Sequence, residues 1–332
     1  MDRRALKRLA KVAAIIAVLL VTAFLVFRVP DTDPAQMRAK YGGAPSQFVK
    51  LPSGLTVHLR DEGPRDKPAI VLLHGSNADL HTWQAWADGL KTDYRVIRFD
   101  QRGHGLTGPA ANVRYRTDDF VADLQAVADT LQLDRFVLAG NSMGGGIAAR
   151  YAMLHPERLR GLVLVDAGGA PVRREGGGNL AFTLARMPVI GTATAQLLPR
   201  SLVEKSFRQS VSNQSVVTPQ AVDRIWELAR YPGNRAATSA RFRQGWTTFS
   251  PAKVAAVRTP TLVMWGEEDA LIPYAAAGWY MKHLPNAQLS HYPGIGHIPM
   301  EEAPERSLAD LRAWLAELPA EEPALTAGPA GG

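Results

Sequence analysis

The feature that most restricts this chain is the pentapeptide Gly140-Asn-Ser-Met-Gly144. It stands between the apolar run Arg135-Phe-Val-Leu-Ala139 and a helix-forming stretch, Gly145-Gly-Ile-Ala-Ala-Arg-Tyr151. A strand that becomes a helix within so few residues turns very tightly and holds the residue at its apex at strained backbone angles. The neighbours at 140 and 144 then have no room for side chains, and both are glycine. Such a turn lifts the Ser142 hydroxyl clear of the sheet and aims the N-terminus of the following helix at any anion that develops there. Ser142 is therefore the candidate nucleophile, and the chain around it must build a sheet whose strands run into helices.

The rest of the sequence has that rhythm. Strands are expected at Gln47–Lys50, Leu55–Arg60, Ala69–Leu73, Arg95–Phe99, Arg135–Ala139, Gly161–Val165, Thr261–Trp265 and Ala287–His291. The first two are close together and alternate in polarity, as an antiparallel edge pair does. The later ones are short, apolar and followed by helical segments, which predicts a mostly parallel eight-stranded sheet covered on both faces. About 90 residues separate the sixth strand from the seventh, with helical signals at Leu180–Met187, Leu202–Val211, Pro219–Arg230 and Ala236–Phe249. The expected organisation is a core formed by residues 46–169 and 259–318, a helical cap at 170–258, and a disordered Ala/Glu/Pro/Gly-rich tail at 319–332.

Ahead of this body, Val12 to Phe27 is 16 residues without a charge, flanked by Lys11 and Arg28. A bilayer crossing needs about 20 residues with a lower limit near 17, and basic residues at both ends can snorkel to the headgroups. No small-x-small cleavage pattern follows. Residues 1–29 are thus expected to be a single-pass membrane anchor and 30–45 a linker. Five basic residues precede the apolar run, which places the N-terminus in the cytoplasm and the body outside.

Charge is unevenly spread over a chain of formal net charge +7. Residues 170–258 carry 13 Lys and Arg against four Asp and Glu. A nucleic-acid binder fits poorly, because this surplus comes with no nucleic-acid motif. One expectation is that the basic cap faces an anionic bilayer, with Phe182, Phe207, Trp226, Trp246 and Phe249 lining an apolar path to Ser142. The chain has no cysteine, which excludes disulfides and thiolate metal sites. With no metal cluster or phosphate loop in the sequence, no cofactor is expected.

Three further segments complete a candidate site. His74-Gly75-Ser76 follows the strand Ala69–Leu73, so the backbone N–H groups of Ser76 and Met143 can form an oxyanion hole. Asp269 closes Trp265-Gly266-Glu-Glu-Asp269 at the end of the seventh strand and is the preferred acid. Glu267, Glu268 and Asp166 are its rivals. His297 stands in the glycine-flanked loop Gly294-Ile-Gly-His-Ile-Pro-Met300, downstream of the acid, and is the candidate base. Asp100-Gln-Arg-Gly-His-Gly105 reads as structural turn chemistry upstream of the nucleophile.

Residues 45 to 318 thus resemble the α/β-hydrolase superfamily through His74-Gly-Ser, Asp100–Gly105, Gly140–Gly146, Gly266–Asp269 and Gly296-His297. The resemblance implies an α/β-hydrolase fold, a Ser142–His297–Asp269 triad and an acyl-enzyme released by water. Serine at 142 argues against the haloalkane dehalogenase and epoxide hydrolase branches, which use aspartate there. The Asn-Ser-Met-Gly-Gly run is similar to that of meta-cleavage carbon–carbon hydrolases, but those place tryptophan after the catalytic histidine, where this chain has Ile298. A carboxylic-ester hydrolase acting on a small or apolar ester ranks first, a carbon–carbon hydrolase second and a cofactor-free perhydrolase third. A degenerate, non-catalytic binding protein is disfavoured by the intact serine and histidine.

Overall fold

A computed structural model of the chain describes residues 3–172 and 196–319. Eight strands form one sheet: β1 (Ser46–Lys50), β2 (Thr56–Glu62), β3 (Ala69–Leu73), β4 (Arg95–Phe99), β5 (Phe136–Asn141), β6 (Leu159–Val165), β7 (Thr261–Gly266) and β8 (Ala287–Tyr292). Their spatial order is β1-β2-β4-β3-β5-β6-β7-β8. Only β2 runs against its neighbours, and β3 through β8 are parallel. All eight expected strands are present, most of them a residue or two longer than their apolar runs.

The continuous apolar runs follow from burial on both faces. Within β3, Val71 and Leu73 pack into one core cluster and Ile70 and Leu72 into the other. The first cluster takes in α4 (Thr117–Thr130) and α5 (Met143–Leu154). On the opposite face lie Trp83, Trp86, Leu311 and Trp314. This two-sided burial fixes the sheet, and its C-terminal edge carries the loops that matter below.

Between β6 and β7 the described residues hold helices at Arg200–Ser210, Pro219–Ala229, Asn234–Gln244 and Pro251–Ala255. The helix expected at Leu180–Met187 lies outside the described residues, as do Phe182 and residues 320–332. The helix expected to reach Phe249 stops at Gln244. Gly245, at φ 77°, supplies the left-handed residue that ends it.

Two expectations are corrected. Residues 30–45 are not merely a linker: Pro34–Tyr41 is a helix, capped by Asp33, whose side chain accepts from the Gln36 N–H at 2.8 Å. Its proline and glycine are helix punctuation, Pro34 at the first turn and Gly42 just past the end. Nor do the aromatic residues expected to line a path form one file. Phe249 belongs to the main core, Phe207 to a separate cap cluster with Val211, Val217 and Val222, and Trp226 lies under the Arg230 guanidinium.

The N-terminal helix α1 spans Arg3–Phe27 with none of its residues buried, and its apolar stretch has a mean hydropathy of 2.7. At 1.5 Å per residue it is about 37 Å long, more than a hydrocarbon core of ~30 Å.

Candidate active site

Ser142 sits at φ 55° and ψ −116°, a conformation that non-glycine residues rarely adopt. Its N–H donates to the Val165 carbonyl at 3.0 Å, and its own carbonyl accepts from Gly146 at 3.0 Å and Gly168 at 2.8 Å. Neighbouring backbone enforces the glycines on either side. A methyl group on Gly140 would overlap Gly144, and one on Gly144 would overlap the carbonyls of Leu73 and His74. Met143 is the first residue of α5, so its N–H has no partner within that helix.

The loop after β3 lies directly against this turn. A Cβ placed on Gly75 would be 3.2 Å from the Ser142 Cβ. His74 pins the loop from beneath. Its Nε2 accepts the Gln101 N–H at 3.0 Å, so Nδ1 carries the proton donated to the Gly75 carbonyl at 2.7 Å. Burial lowers its pKa and favours this neutral form. Asp100 accepts from the Leu80 and Leu106 N–H groups at 2.8 Å and lies 2.7 Å from His58 Nδ1. The Asp100–Gly105 turn is thus a buried hydrogen-bonded support beneath the loop.

His297 and Asp269 meet at the edge of β7. His297 Nδ1 is 2.7 Å from Asp269 Oδ2, both side chains buried. The other Asp269 oxygen accepts from Leu271 at 2.7 Å and Ile272 at 3.0 Å, which fixes the carboxyl group. With Nδ1 so engaged, Nε2 is the nitrogen free to accept a proton. Glu267 lies 2.5 Å from a different histidine, the half-exposed His291, and Glu268 is exposed.

Asp166 is the rival that does reach the site. Asp166, Asp269 and His297 present side-chain atoms within 4.8 Å of one another, the one group of potential metal-ligand geometry among the described residues. Direct pairing of His297 with Asp269 already occupies one atom of each. Asp166, fully buried and at φ 44°, accepts the Gly266 N–H at 3.0 Å. Burial, and then the neighbouring Asp269 carboxyl, push its pKa well above the ordinary range. Asp166 is thereby biased towards its neutral form.

Three residues in this region carry no expectation from the sequence. Asn141 donates to the His297 carbonyl at 3.0 Å, tying the nucleophile turn to the histidine loop. Buried Glu302 accepts from Gly296 and Ile298 in that loop at 3.0 and 3.2 Å, and from Ser212 and Asn213 in the cap at 2.7 and 2.9 Å. Arg241, in the cap helix Asn234–Gln244, is fully buried; its Nη2 donates to Ser76 Oγ and Asn77 Oδ1, each at 3.0 Å. It pairs with no carboxylate among the described residues, and burial lowers its pKa to about 9. Asn141 lies inside the pentapeptide and Glu302 five residues past His297, so proximity in sequence could have flagged both. Nothing in the sequence connects position 241 with position 76.

Residues 68–304 match the profile of the alpha/beta hydrolase fold family, and the chain belongs to that family. Among its relatives is 2-hydroxymuconate semialdehyde hydrolase of Pseudomonas sp. strain CF600, 29% identical over 80% of this chain and 93% of that protein. Pimeloyl-[acyl-carrier protein] methyl ester esterase of Nitrosomonas europaea is 29% identical over 76% of this chain and 96% of its own length. Epoxide hydrolase 4 of Mus musculus is 28% identical over 66% of this chain and 65% of the mouse protein.

Proposed function

We propose that the chain is a serine hydrolase that cleaves a carboxylic ester through an acyl-enzyme. The observation that carries this reading is the buried 2.7 Å His297–Asp269 pair beside the strained Ser142 turn. Ser142 Oγ attacks the ester carbonyl while His297 Nε2 takes its proton, and Asp269 holds the imidazole in the required tautomer. The N–H groups of Ser76 and Met143 receive the oxyanion. His297 returns the proton to the leaving alcohol, and water then attacks the acyl-enzyme by the same route. The chain's relatives include a protein named as a methyl ester esterase. Nitrophenyl esters of increasing chain length, tested on wild type and Ser142→Ala, check the reading: turnover by the wild type alone is expected, and equal rates refute it.

A carbon–carbon hydrolase is the second reading. Arg241, a buried cation at Ser76, suits a substrate carrying a carboxylate near the reacting carbonyl, and one relative is named as a muconate semialdehyde hydrolase. Release of a carboxylic acid from a 2-hydroxy-6-oxo-dienoate, with no turnover of simple esters, would favour it. We further infer that α1 is a membrane anchor with the N-terminus in the cytoplasm, because its basic residues precede the apolar stretch. Alkaline phosphatase fused after residue 45 should then be active outside the cytoplasm; activity only of a cytoplasmic reporter refutes the orientation.

A further inference from the structure

The segment that leaves α1 does not hang free; it is fastened to the cap from its second residue onward. Val29 donates its N–H to the Gln196 carbonyl at 2.8 Å, and its own carbonyl accepts from Arg235 Nη1 at 2.8 Å. The Pro30 carbonyl accepts from Arg230 Nη1 at 3.2 Å, and Arg235 Nη2 reaches Asp31 Oδ1 at 2.5 Å. Thr32 donates to the Arg230 carbonyl at 3.0 Å. The helix Pro34–Tyr41 continues the attachment: Lys40 and Tyr41 both reach the Glu227 carboxylate, at 2.7 and 2.6 Å, and Met37 packs with Leu106, Leu228 and Tyr231. Arg235 is 5% exposed and Arg230 9%.

The same cap helix extends this attachment to the site. Asn234–Gln244 carries Arg235 near its start, on the stem, and Arg241 six residues on, against Ser76. Six residues of helix span about 9 Å. The oxyanion loop therefore lies on the order of one short helix from the point where the chain leaves α1. A free linker of 15 residues would instead let the body wander ~20 Å from the anchor in any orientation.

We propose that residues 29–41 are a rigid bracket that sets the cap against the bilayer surface, so that the site takes an ester partitioned into the membrane. The proposal rests on the reading of α1 as an anchor and of the site as an esterase. It also changes the expected role of the cap's basic residues. Arg235 is spent on Asp31 in the stem, Arg224 on Asp79 in the core and Arg200 on Asp223 within the cap. Orientation by the bracket does not require attraction to anionic lipid, so it persists in neutral membranes and at raised salt.

The test uses the full chain in vesicles of neutral phosphatidylcholine. Two variants uncouple the bracket: Arg235→Ala, which loosens it from the cap, and ten Gly/Ser residues inserted between Arg28 and Val29, which leave it intact but detach it from the anchor. Both should turn over water-soluble nitrophenyl acetate like the wild type. Both should lose about tenfold on a long-chain ester dissolved in the bilayer. A fluorophore at Leu202, exposed on the cap, should be quenched by headgroup spin-labelled lipid in the wild type and less in the insertion variant. One at Leu289 on β8 should be unaffected in both. Undiminished turnover of the bilayer ester by both variants, or equal quenching at the two positions, overturns the bracket. A chain without esterase activity fails both substrates yet still reports orientation by quenching. Release of the chain from vesicles by carbonate overturns the anchor and the bracket together.

Discussion

The sheet and the cap both bury apolar side chains, but the cap meets the rest of the chain through arginines. In the sheet, burial falls mainly on Val, Ile, Leu and Trp side chains whose alternation places each on one of two apolar faces, with Arg95 and Arg98 of β4 paired to Asp61 and Glu62 of β2. In the cap, the chains driven inward include Arg230, Arg235 and Arg241, which reach backbone carbonyls, the Asp31 carboxylate and the Ser76 hydroxyl, while Arg241 Nε and Nη1 are buried without a hydrogen-bond partner among the described residues. Apolar packing is non-directional and tolerant of small shifts, whereas an arginine fork holds only when its partners are in place. The sheet thus gives the reacting groups a stiff frame. The cap closes over them along a polar seam whose strength depends on a few contacts, some of which reach the site itself through Ser76 and Glu302. Substitutions in the frame are expected to abolish chemistry, and those in the seam to alter stability and positioning.

The sharpest test of the frame is the triad. Ser142→Ala and His297→Ala should each lower kcat by about 10⁴-fold or more while leaving the fold and thermal midpoint nearly unchanged. Because the residues act as a unit, the double variant should be hardly worse than either single one. Asp269→Asn should be damaging by roughly one to two powers of ten less. Asp166→Asn is its control: an amide resembles the neutral acid already held there, so less than about tenfold loss is expected. If Asp166→Asn abolished activity while Asp269→Asn were silent, the acid would be Asp166. Asp166 also carries a pH dependence of its own. Asp166 has a raised folded pKa, so the native state keeps a proton that the unfolded chain releases near pH 4. Its contribution to stability therefore falls as pH rises above about 4, and Asp166→Asn should remove that slope.

The seam is tested at Arg224. Burial alone would raise the Asp79 carboxyl, but Arg224 at 3.2 Å and His81 at 2.7 Å together hold it well below its ordinary range. Arg224→Ala leaves that carboxylate buried with one partner fewer, a loss of about 3 kcal/mol by analogy with broken buried pairs. Because the folded pKa is depressed, the stabilisation is present above about pH 4 and disappears as pH falls through the folded value. Urea melts of wild type and Arg224→Ala should therefore differ most near neutrality, and the gap should begin to narrow only below about pH 4, closing as pH nears the strongly depressed folded value. A constant gap across that range would show that the loss is one of packing, not charge.

How far the sequence could be read follows the same division. Strand β3 was legible to the residue because five buried apolar positions leave no other reading, β4 was legible although two of its five buried positions are Arg95 and Arg98, and the Ser142 turn because backbone overlap excludes any residue but glycine at its flanks. The candidate histidine and acid are proposed from their place after strand ends, and geometry pairs His297 directly with Asp269. The stem was misread because the same Pro and Gly that mark a linker also punctuate a short helix, and its packing partners Leu106, Leu228 and Tyr231 lie far off in sequence. Surplus positive charge in the cap pointed outward in a composition count. The direction of each arginine depends on partners up to about 200 positions away, such as Val29 for Arg235, which no local pattern encodes.

Glu302 joins frame and seam, and its removal should give the smallest and most informative effect. Its carboxylate accepts two N–H groups from the histidine loop and two from Ser212 and Asn213, just past the cap helix Arg200–Ser210, while the His297 N–H donates to the Ser210 carbonyl. The loop that carries the proposed base is thereby held to the cap as well as to the sheet. Glu302→Gln keeps the volume and one accepting oxygen but replaces the other with an NH2 group, which faces backbone N–H donors. Losing charge-assisted bonds of this kind costs about 1–2 kcal/mol each, and relaxation of the loop recovers part of it. Stability should fall by that order. A purely structural role would stop there. If Glu302 also positions the base, kcat should fall about fivefold at unchanged KM under conditions where the variant is fully folded. Glu302→Asp, which keeps the charge on a shorter arm, should restore part of the rate. Loss of stability with an unaltered kcat would confine Glu302 to the seam.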